Sequence, residues 1–241
     1  RKLNKDIKIS LFSDERSVPY QRPPLSKKTI FSDTQNYDLI LGKDFYDKND
    51  IQLNLDSAVE EINPKQSYVR LNSKEIIEYD QLIIATGTKG YKLNIPGGEQ
   101  AQTLYSINDA HKLANSIAKA KKIAVIGGGF IGCEIASGVQ KLNKDVTLLE
   151  TGPSILGRSV APIFAESVSK IHHSQGIKIL TNCKALSINN RGVETTSSII
   201  SADLVVAGIG VTPNIELATE ANLDIDNGIL VNKLLQTSNE N

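Results

Sequence analysis

Residues 123–150, IAVIGGGFIGCEIASGVQKLNKDVTLLE, decide how this chain is read. The β-branched run 123–126 suits a buried parallel strand. Gly127, Gly129 and Gly132 then spell G-x-G-x-x-G, residues 130–142 carry helical periodicity, and 145–149 form a second strand closed by Glu150. Together these make one βαβ unit. The first glycine permits a tight turn, the second lets backbone approach a pyrophosphate, and the third lets the helix pack closely on the strand. The helix start offers N–H groups and the positive end of its dipole to phosphates. Glu150 follows the third glycine by 18 residues, where an acid accepts hydrogen bonds from the adenine ribose hydroxyls. An acid there repels a 2′-phosphate, so NADH is favoured over NADPH.

Reading outward, a helix is expected over 161–174, ended at Gly176, with a strand over 177–180. Three short alternating segments follow at 185–189, 193–196 and 198–201, then an apolar strand over 204–207 that runs into Gly208-Ile209-Gly210. The first hundred residues repeat this order. A strand over 6–12 runs into Asp14-Glu15, three alternating segments lie at 58–63, 68–72 and 75–78, and an apolar strand over 82–84 ends in Ala85-Thr86-Gly87. EIIEYDQLIIATG (75–87) and SIISADLVVAGIG (198–210) are the clearest internal match. The repeat predicts two related nucleotide-binding modules. The first module lacks its opening strand and Gly-rich turn, which are expected upstream of Arg1.

Composition agrees with a globular α/β protein: 40% hydrophobic and 22% charged residues, with a net charge of +0. No basic surface is implied, and nucleic acid is not an expected partner. No apolar run reaches membrane-spanning length and no signal peptide opens the chain. The two cysteines, Cys133 and Cys183, form neither a CxxC nor a zinc spacing, so no metal site is expected and a reducing cytoplasm is the default. The chain begins at Arg1 and contains no Met. It therefore reads either as an excerpt of a longer chain or as a sequence from which some residues, modified methionines among them, are missing.

With these residues in hand, the chain resembles the FAD-dependent NADH:ferredoxin and rubredoxin reductases, flavoproteins built from two dinucleotide folds within the pyridine nucleotide-disulfide oxidoreductase superfamily. Apoptosis-inducing-factor-like flavoproteins share much of the pattern. The most specific mark is PYQRPPLSK (19–27). Others are IIATG (83–87), GGGFIGCE (127–134), LGRSVAP (156–162), GIGVTPN (208–214) and NGILVNKLLQTS (227–238). The implied fold is α/β with two Rossmann-like FAD/NAD(P)-binding three-layer modules, the first one incomplete. An FAD module over 1–102 would be completed by a return segment over 219–241, with an NADH module over 103–218.

The resemblance also implies roles. Asp14, or Glu15 beside it, would hold the FAD ribose, Val59 would contact the adenine, and Ala85, Thr86 and Gly87 would pass the FAD phosphates. Gly127, Gly129, Phe130, Ile131, Gly132, Glu150, Gly208 and Gly210 would form the NADH cradle. Arg158 could reach an NADH phosphate or make a surface salt bridge. Lys27 and Glu134 are the catalytic candidates, expected as an ion pair beside the flavin. The implied activity passes hydride from NADH to FAD and then electrons to a small iron–sulfur protein. An NADH oxidase, the flavin module of a larger reductase such as a nitrite reductase, and an apoptosis-inducing-factor-like redox or interaction protein are the alternatives.

Two departures stand out. Many relatives carry L-R-T where this chain has Leu104-Tyr105-Ser106, which puts that FAD contact in question. The chain also stops at Asn241, before the A-G-D motif that relatives use for the FAD ribityl chain. Disulfide reductases on this scaffold need a redox cysteine early in the first module. None precedes Cys133, so thiol chemistry is not expected. His111 is expected on the polar face of its helix, and His172 and His173 near a helix C-terminus suit the dipole. None of the three is a catalytic candidate. Lys119, Lys121 and Lys122 read as a solvated face, and Arg22 as a residue that either shapes or covers the flavin loop.

Overall fold

The computed structural model describes residues 6–31 and 37–239. The chain falls into two units, one made of Arg1–Tyr20, Leu39–Lys89 and Pro213–Asn241, the other of Gln21–Asp38 and Gly90–Thr212.

The second unit is built on a parallel sheet in the order Leu204–Ala207, Lys122–Ile126, Asp145–Leu149, Lys178–Leu180. Val206 lies beside Val125, Val125 beside Leu148, and Leu148 beside Ile179. The residues of Leu204–Ala207, and 123–126, are buried throughout, as expected of strands covered on both faces. The helix Phe130–Gln140 links the two central strands and buries Cys133, Ile135, Ala136 and Val139. A meander of Ala185–Asn189, Gly192–Thr195 and Ile199–Ser201 covers the sheet. Ala185, Ile188, Val193 and Ile200 from the meander join Ala124, Ile126, Leu149 and Val205 from the sheet in one buried cluster. Each Val, Leu or Ile among them contributes about 1.5–3 kcal/mol when fully buried.

The helix Ile107–Lys119 opens on a capping box. The Ser106 hydroxyl accepts from the Asp109 N–H at 3.2 Å, and the Asp109 carboxylate accepts from the Ser106 N–H at 2.9 Å. At its other end the Lys144 ammonium donates to the Ala118 and Ala120 carbonyls at 3.3 and 2.7 Å, where a cation also suits the helix dipole.

The first unit repeats parts of this plan. Ile9–Phe12 pairs in parallel with Ile51–Asn54. Val59–Asn63, Tyr68–Leu71 and Ile76–Glu78 form an antiparallel meander like the one in the second unit. The two meanders share an irregularity: the register slips between Val59 and Glu61 in one and between Ala185 and Ser187 in the other. A bulge at matching places in both copies is the structural counterpart of the sequence repeat.

Several element limits move. The helix expected over 130–142 ends at Gln140, and Asn143 takes a left-handed φ of 54° in the turn that follows. The strand expected over 6–12 begins at Ile9. The strand expected over 82–84 is not formed: residues 82–87 carry no regular secondary structure, and Ile83 is 88% exposed. Its counterpart Leu204–Ala207 is held by the ladder to Lys122–Ile126. Among the described residues 82–84 have no such neighbour, and apolar side chains alone do not make a strand.

Candidate functional site

The C-terminal ends of Lys122–Ile126 and Leu204–Ala207 lie side by side, and a Gly-rich turn leaves each of them. Gly127 takes a φ of +105°, and a Cβ on it would fall 2.5 Å from the Gly208 carbonyl oxygen. A Cβ on Gly132 would fall 1.9 Å from the Gly127 carbonyl oxygen, so the helix can sit this close to the turn only without a side chain there. Gly129 differs. A Cβ on it would meet nothing within 4 Å, so its backbone faces open space. Gly129 is also the N-cap of Phe130–Gln140 and supplies no side-chain cap. The first N–H groups of this helix are thus left to be satisfied from outside.

Glu150 follows directly on Asp145–Leu149 and is buried. Its Oε2 accepts from the Gly128 N–H at 2.8 Å and its Oε1 from the Gly152 N–H at 2.6 Å. The carboxylate therefore braces the Gly-rich turn from behind while keeping lone pairs for a further donor. Gly128 is fixed from its other side too, since its carbonyl accepts from the Leu156 N–H at 2.7 Å. Gly210 takes a φ of +110° and its carbonyl accepts from the Tyr91 N–H at 3.1 Å. Phe130 and Ile131, at 55% and 36% exposure, present apolar surface at the helix start. Arg158 is exposed and makes no side-chain hydrogen bond or ion pair among the described residues.

The loop 21–31 belongs to the same unit. The Lys27 ammonium lies 3.1 Å from Glu134 Oε1 and donates to the Pro23 carbonyl at 3.0 Å. Glu134 projects from Phe130–Gln140, the helix that opens at Gly129. The buried Ser26 hydroxyl donates to Glu134 Oε2. Arg22 stacks its guanidinium 4.4 Å from the Tyr105 ring centroid and donates to the Tyr105 carbonyl at 2.8 Å, so it ties this loop to residue 105.

In the first unit, Asp14 is exposed whereas Glu15 is half-buried, with its Oε2 accepting from the Tyr20 hydroxyl at 2.6 Å. Val59 heads its strand opposite Leu71. The Ala85-Thr86-Gly87 turn is clasped by Asn214. The Asn214 amide donates to the Thr86 carbonyl at 2.8 Å, the Thr86 hydroxyl to the Asn214 carbonyl at 2.7 Å, and the Asn214 N–H to the Gly87 carbonyl at 3.0 Å.

Burial, with Glu150 and Glu134 nearby, pushes the Cys133 thiol up to about 12. The nucleophilic thiolate is thereby suppressed. Cys183 is likewise a buried free thiol. His172 lies in the last turn of Pro162–Ser174, as expected. It is buried, with Nδ1 3.1 Å from the Val168 carbonyl and Nε2 3.1 Å from the Cys133 carbonyl. His111 is half-buried, and its Nε2 is buried with no hydrogen-bond partner among the described residues. His172 lies seven residues from the buried Ala165, on the inward face of its helix, where an apolar imidazole body can pack. Among the described residues no group of three His, Cys, Asp or Glu side chains could hold a metal ion. Among them, too, no helix is long and apolar enough to cross a membrane.

Ser26, Tyr20 and Asn214 were not singled out from the sequence. A hydroxyl or amide that braces a distant carboxylate or turn leaves no spacing signature, although each lies inside or beside a quoted motif.

An α/β chain with a repeated plan and an open, uncapped Gly-rich turn backed by a buried acid defines a dinucleotide-binding protein. The chain belongs to the pyridine nucleotide-disulphide oxidoreductase family, whose model matches residues 1–241. It is similar to rhodocoxin reductase of Rhodococcus erythropolis, 38% identical across 97% of this chain and 57% of that protein. It is 34% identical to rubredoxin-NAD(+) reductase of Pseudomonas putida across 95% of this chain and 62% of that protein. The structure superposes on a ferredoxin reductase from Rhodopseudomonas palustris with a TM-score of 0.94 and 30% identity, covering 98% of this chain and 60% of that one. The chain thus spans about three-fifths of the length of the relatives it matches.

Proposed function

We propose that the protein to which this chain belongs is a flavoprotein reductase that draws on NADH and delivers electrons to a small iron–sulfur protein of ferredoxin or rubredoxin type. The observation that carries this reading is the Lys27–Glu134 pair, a cation fixed at 3.1 Å to the very helix that opens at the uncapped Gly-rich turn. FAD, when bound, accepts hydride from NADH and releases electrons singly, which joins a two-electron donor to a one-electron acceptor.

The residues of this chain hold, orient and polarise. Gly127, Gly129 and Gly132 with the open helix N–H groups receive the NADH pyrophosphate, and Glu150 receives the ribose hydroxyls. Phe130, Ile131, Gly208 and Gly210 line that cradle, and Arg158, exposed on its loop, meets a phosphate. Glu15, or Asp14 beside it, takes the FAD ribose, with Val59 and the clasped Ala85-Thr86-Gly87 turn along the same cofactor. Residues 1–102 with 219–241 serve FAD and 103–218 serve NADH. Lys27 would stabilise negative charge gained by the flavin on reduction, and Glu134 keeps that lysine oriented. The names of the relatives, reductases of rhodocoxin and rubredoxin, support an iron–sulfur partner. Two unpaired buried thiols suit a reducing cytoplasm as the place of action.

The test is a visible spectrum of the full-length protein titrated anaerobically with NADH, followed by turnover with a panel of ferredoxins and rubredoxins. Bleaching of a bound flavin by NADH and reduction of an iron–sulfur acceptor are expected. Well-folded full-length protein without flavin absorbance overturns the reading.

A further inference from the structure

The geometry points to Ser26 as a positioning residue for the Lys27–Glu134 pair: its hydroxyl locks the Glu134 carboxylate so that the lysine keeps one N–H directed outward. This rests on the flavoprotein reading above.

Ser26 is 6% exposed, although its neighbour Lys27 is 55% exposed at its side chain. A buried hydroxyl needs a partner, and Ser26 spends its proton on Glu134 Oε2. The other carboxylate oxygen, Oε1, faces the Lys27 ammonium at 3.1 Å. Each oxygen thus has its own donor. The terminal torsion of a glutamate is broad, so the side chain itself does not fix the plane of its carboxylate. The Ser26 hydroxyl on one oxygen, with the Lys27 ammonium on the other, fixes it.

The consequence falls on Lys27. An ammonium has three donors. One N–H of Lys27 is directed to Glu134 Oε1 and one to the Pro23 carbonyl at 3.0 Å. The third has no partner among the described residues, and it is the one that can be offered to a bound ring. Once the Ser26 hydroxyl is removed, Glu134 Oε2 loses its donor and turns to the nearest remaining one, the third N–H of Lys27. The lysine charge is then drawn back onto Glu134, and less of its field reaches the flavin. Reduction of the flavin becomes harder while the NADH cradle itself is untouched.

A double-mutant cycle on the full-length holoprotein tests this. Flavin midpoint potential and stopped-flow reduction by NADH are measured for the wild type, Ser26→Ala, Glu134→Ala and the double variant. In the wild-type background Ser26→Ala is expected to lower the potential and to slow reduction about tenfold, the worth of a hydrogen bond to a charged group. The KM for NADH should stay put. In the Glu134→Ala background the same substitution should shift neither quantity, because its target is gone. An equal shift in both backgrounds reveals a packing effect and overturns the proposal, and so does an unchanged potential in Ser26→Ala. Should the alanine variant lose its flavin, Ser26→Cys preserves the shape with a weak donor and is read the same way. Absence of flavin from the wild type instead defeats the functional reading itself, so the two failures are told apart.

Discussion

Cys133 illustrates how one side chain reports on its surroundings. The residue follows Gly132 directly, and its Sγ lies 3.5 Å from the Gly128 carbonyl. Burial, then Glu150, then Glu134, pushes its thiol from 9.0 up to about 12. In the unfolded chain the same thiol titrates near its ordinary value. Between about 9 and about 12 the unfolded state therefore gives up a proton that the folded state keeps, and stability falls by about 1.4 kcal/mol per pH unit. Below that window the group contributes no pH dependence. The expected outcome is a steeper alkaline loss of denaturation midpoint in the wild type than in Cys133→Ala. Identical alkaline profiles for the two would count against it. At neutral pH the folded protein should also leave Cys133 unlabelled by a thiol reagent. Glu150 makes a second prediction at this scale. Glu150→Ala leaves the buried Gly128 N–H without its acceptor, at a cost of about 1–3 kcal/mol, and on the proposed function also removes the acid that would exclude a 2′-phosphate. Both a lower denaturation midpoint and a weakened preference for NADH over NADPH are expected. Retention of the wild-type preference would show that the carboxylate braces the turn and does not read the ribose.

The helix Phe130–Gln140 separates the roles of two glycines that the motif lists alike. At Gly132 an added Cβ meets backbone at 1.9 Å, whereas at Gly129 it meets nothing and φ is −77°, which alanine adopts freely. Gly132→Ala is expected to destabilise the fold by about 3 kcal/mol, the upper range for overpacking. Gly129→Ala should melt like the wild type but, on the proposed function, raise the KM for NADH, because its methyl fills the open space in which a pyrophosphate would lie. Equal melting temperatures for the two variants would sink the distinction. This helix and its flanking strands were legible from residues 123–150 because glycine spacing, apolar runs and the closing acid are all local signals. The meanders were legible from their alternation. The strand expected over 82–84 was misread because an apolar run states only that a segment avoids water, and strand formation also needs a neighbour to pair with. His172 sits near its helix end as expected, but its ring reaches the Cys133 carbonyl on another helix, a contact no local pattern encodes. The Lys27–Glu134 pairing was anticipated through family resemblance. Its third member, Ser26, lies 108 residues from Glu134 in sequence and is brought against it by the tertiary fold.

At the scale of the molecule, the chain enters the second unit at Gln21, leaves after Asp38, returns at Gly90 and leaves again after Thr212. Neither unit is a continuous piece of sequence, and the short excursion carries weight beyond its length. It buries Leu25 and Ile30 at 3% exposure each and brings Ser26 and Lys27 to Glu134. Phe31 lies against the helix Phe130–Gln140 so closely that a Cβ on Gly138 would fall 2.0 Å from its ring. A fragment of residues 90–212 keeps all four parallel strands and the meander but loses these side chains. Two buried aliphatic residues account for about 3–6 kcal/mol by transfer, an upper bound because the unfolded chain already hides part of that surface. The fragment is therefore expected to show native-like far-UV circular dichroism yet to melt on the order of 10 °C below the same sheet in the intact chain. Adding residues 21–38 as a separate peptide should recover part of the difference in a concentration-dependent way. The linkage also runs in reverse. If the excursion is part of this unit's core, Leu25→Ala in the intact chain should increase hydrogen exchange at Ile135 and Val139, which lie on the helix that Phe31 packs against. Should the fragment melt with the intact sheet and Leu25→Ala leave those amides protected, the loop would be an ornament on the unit and not a structural part of it.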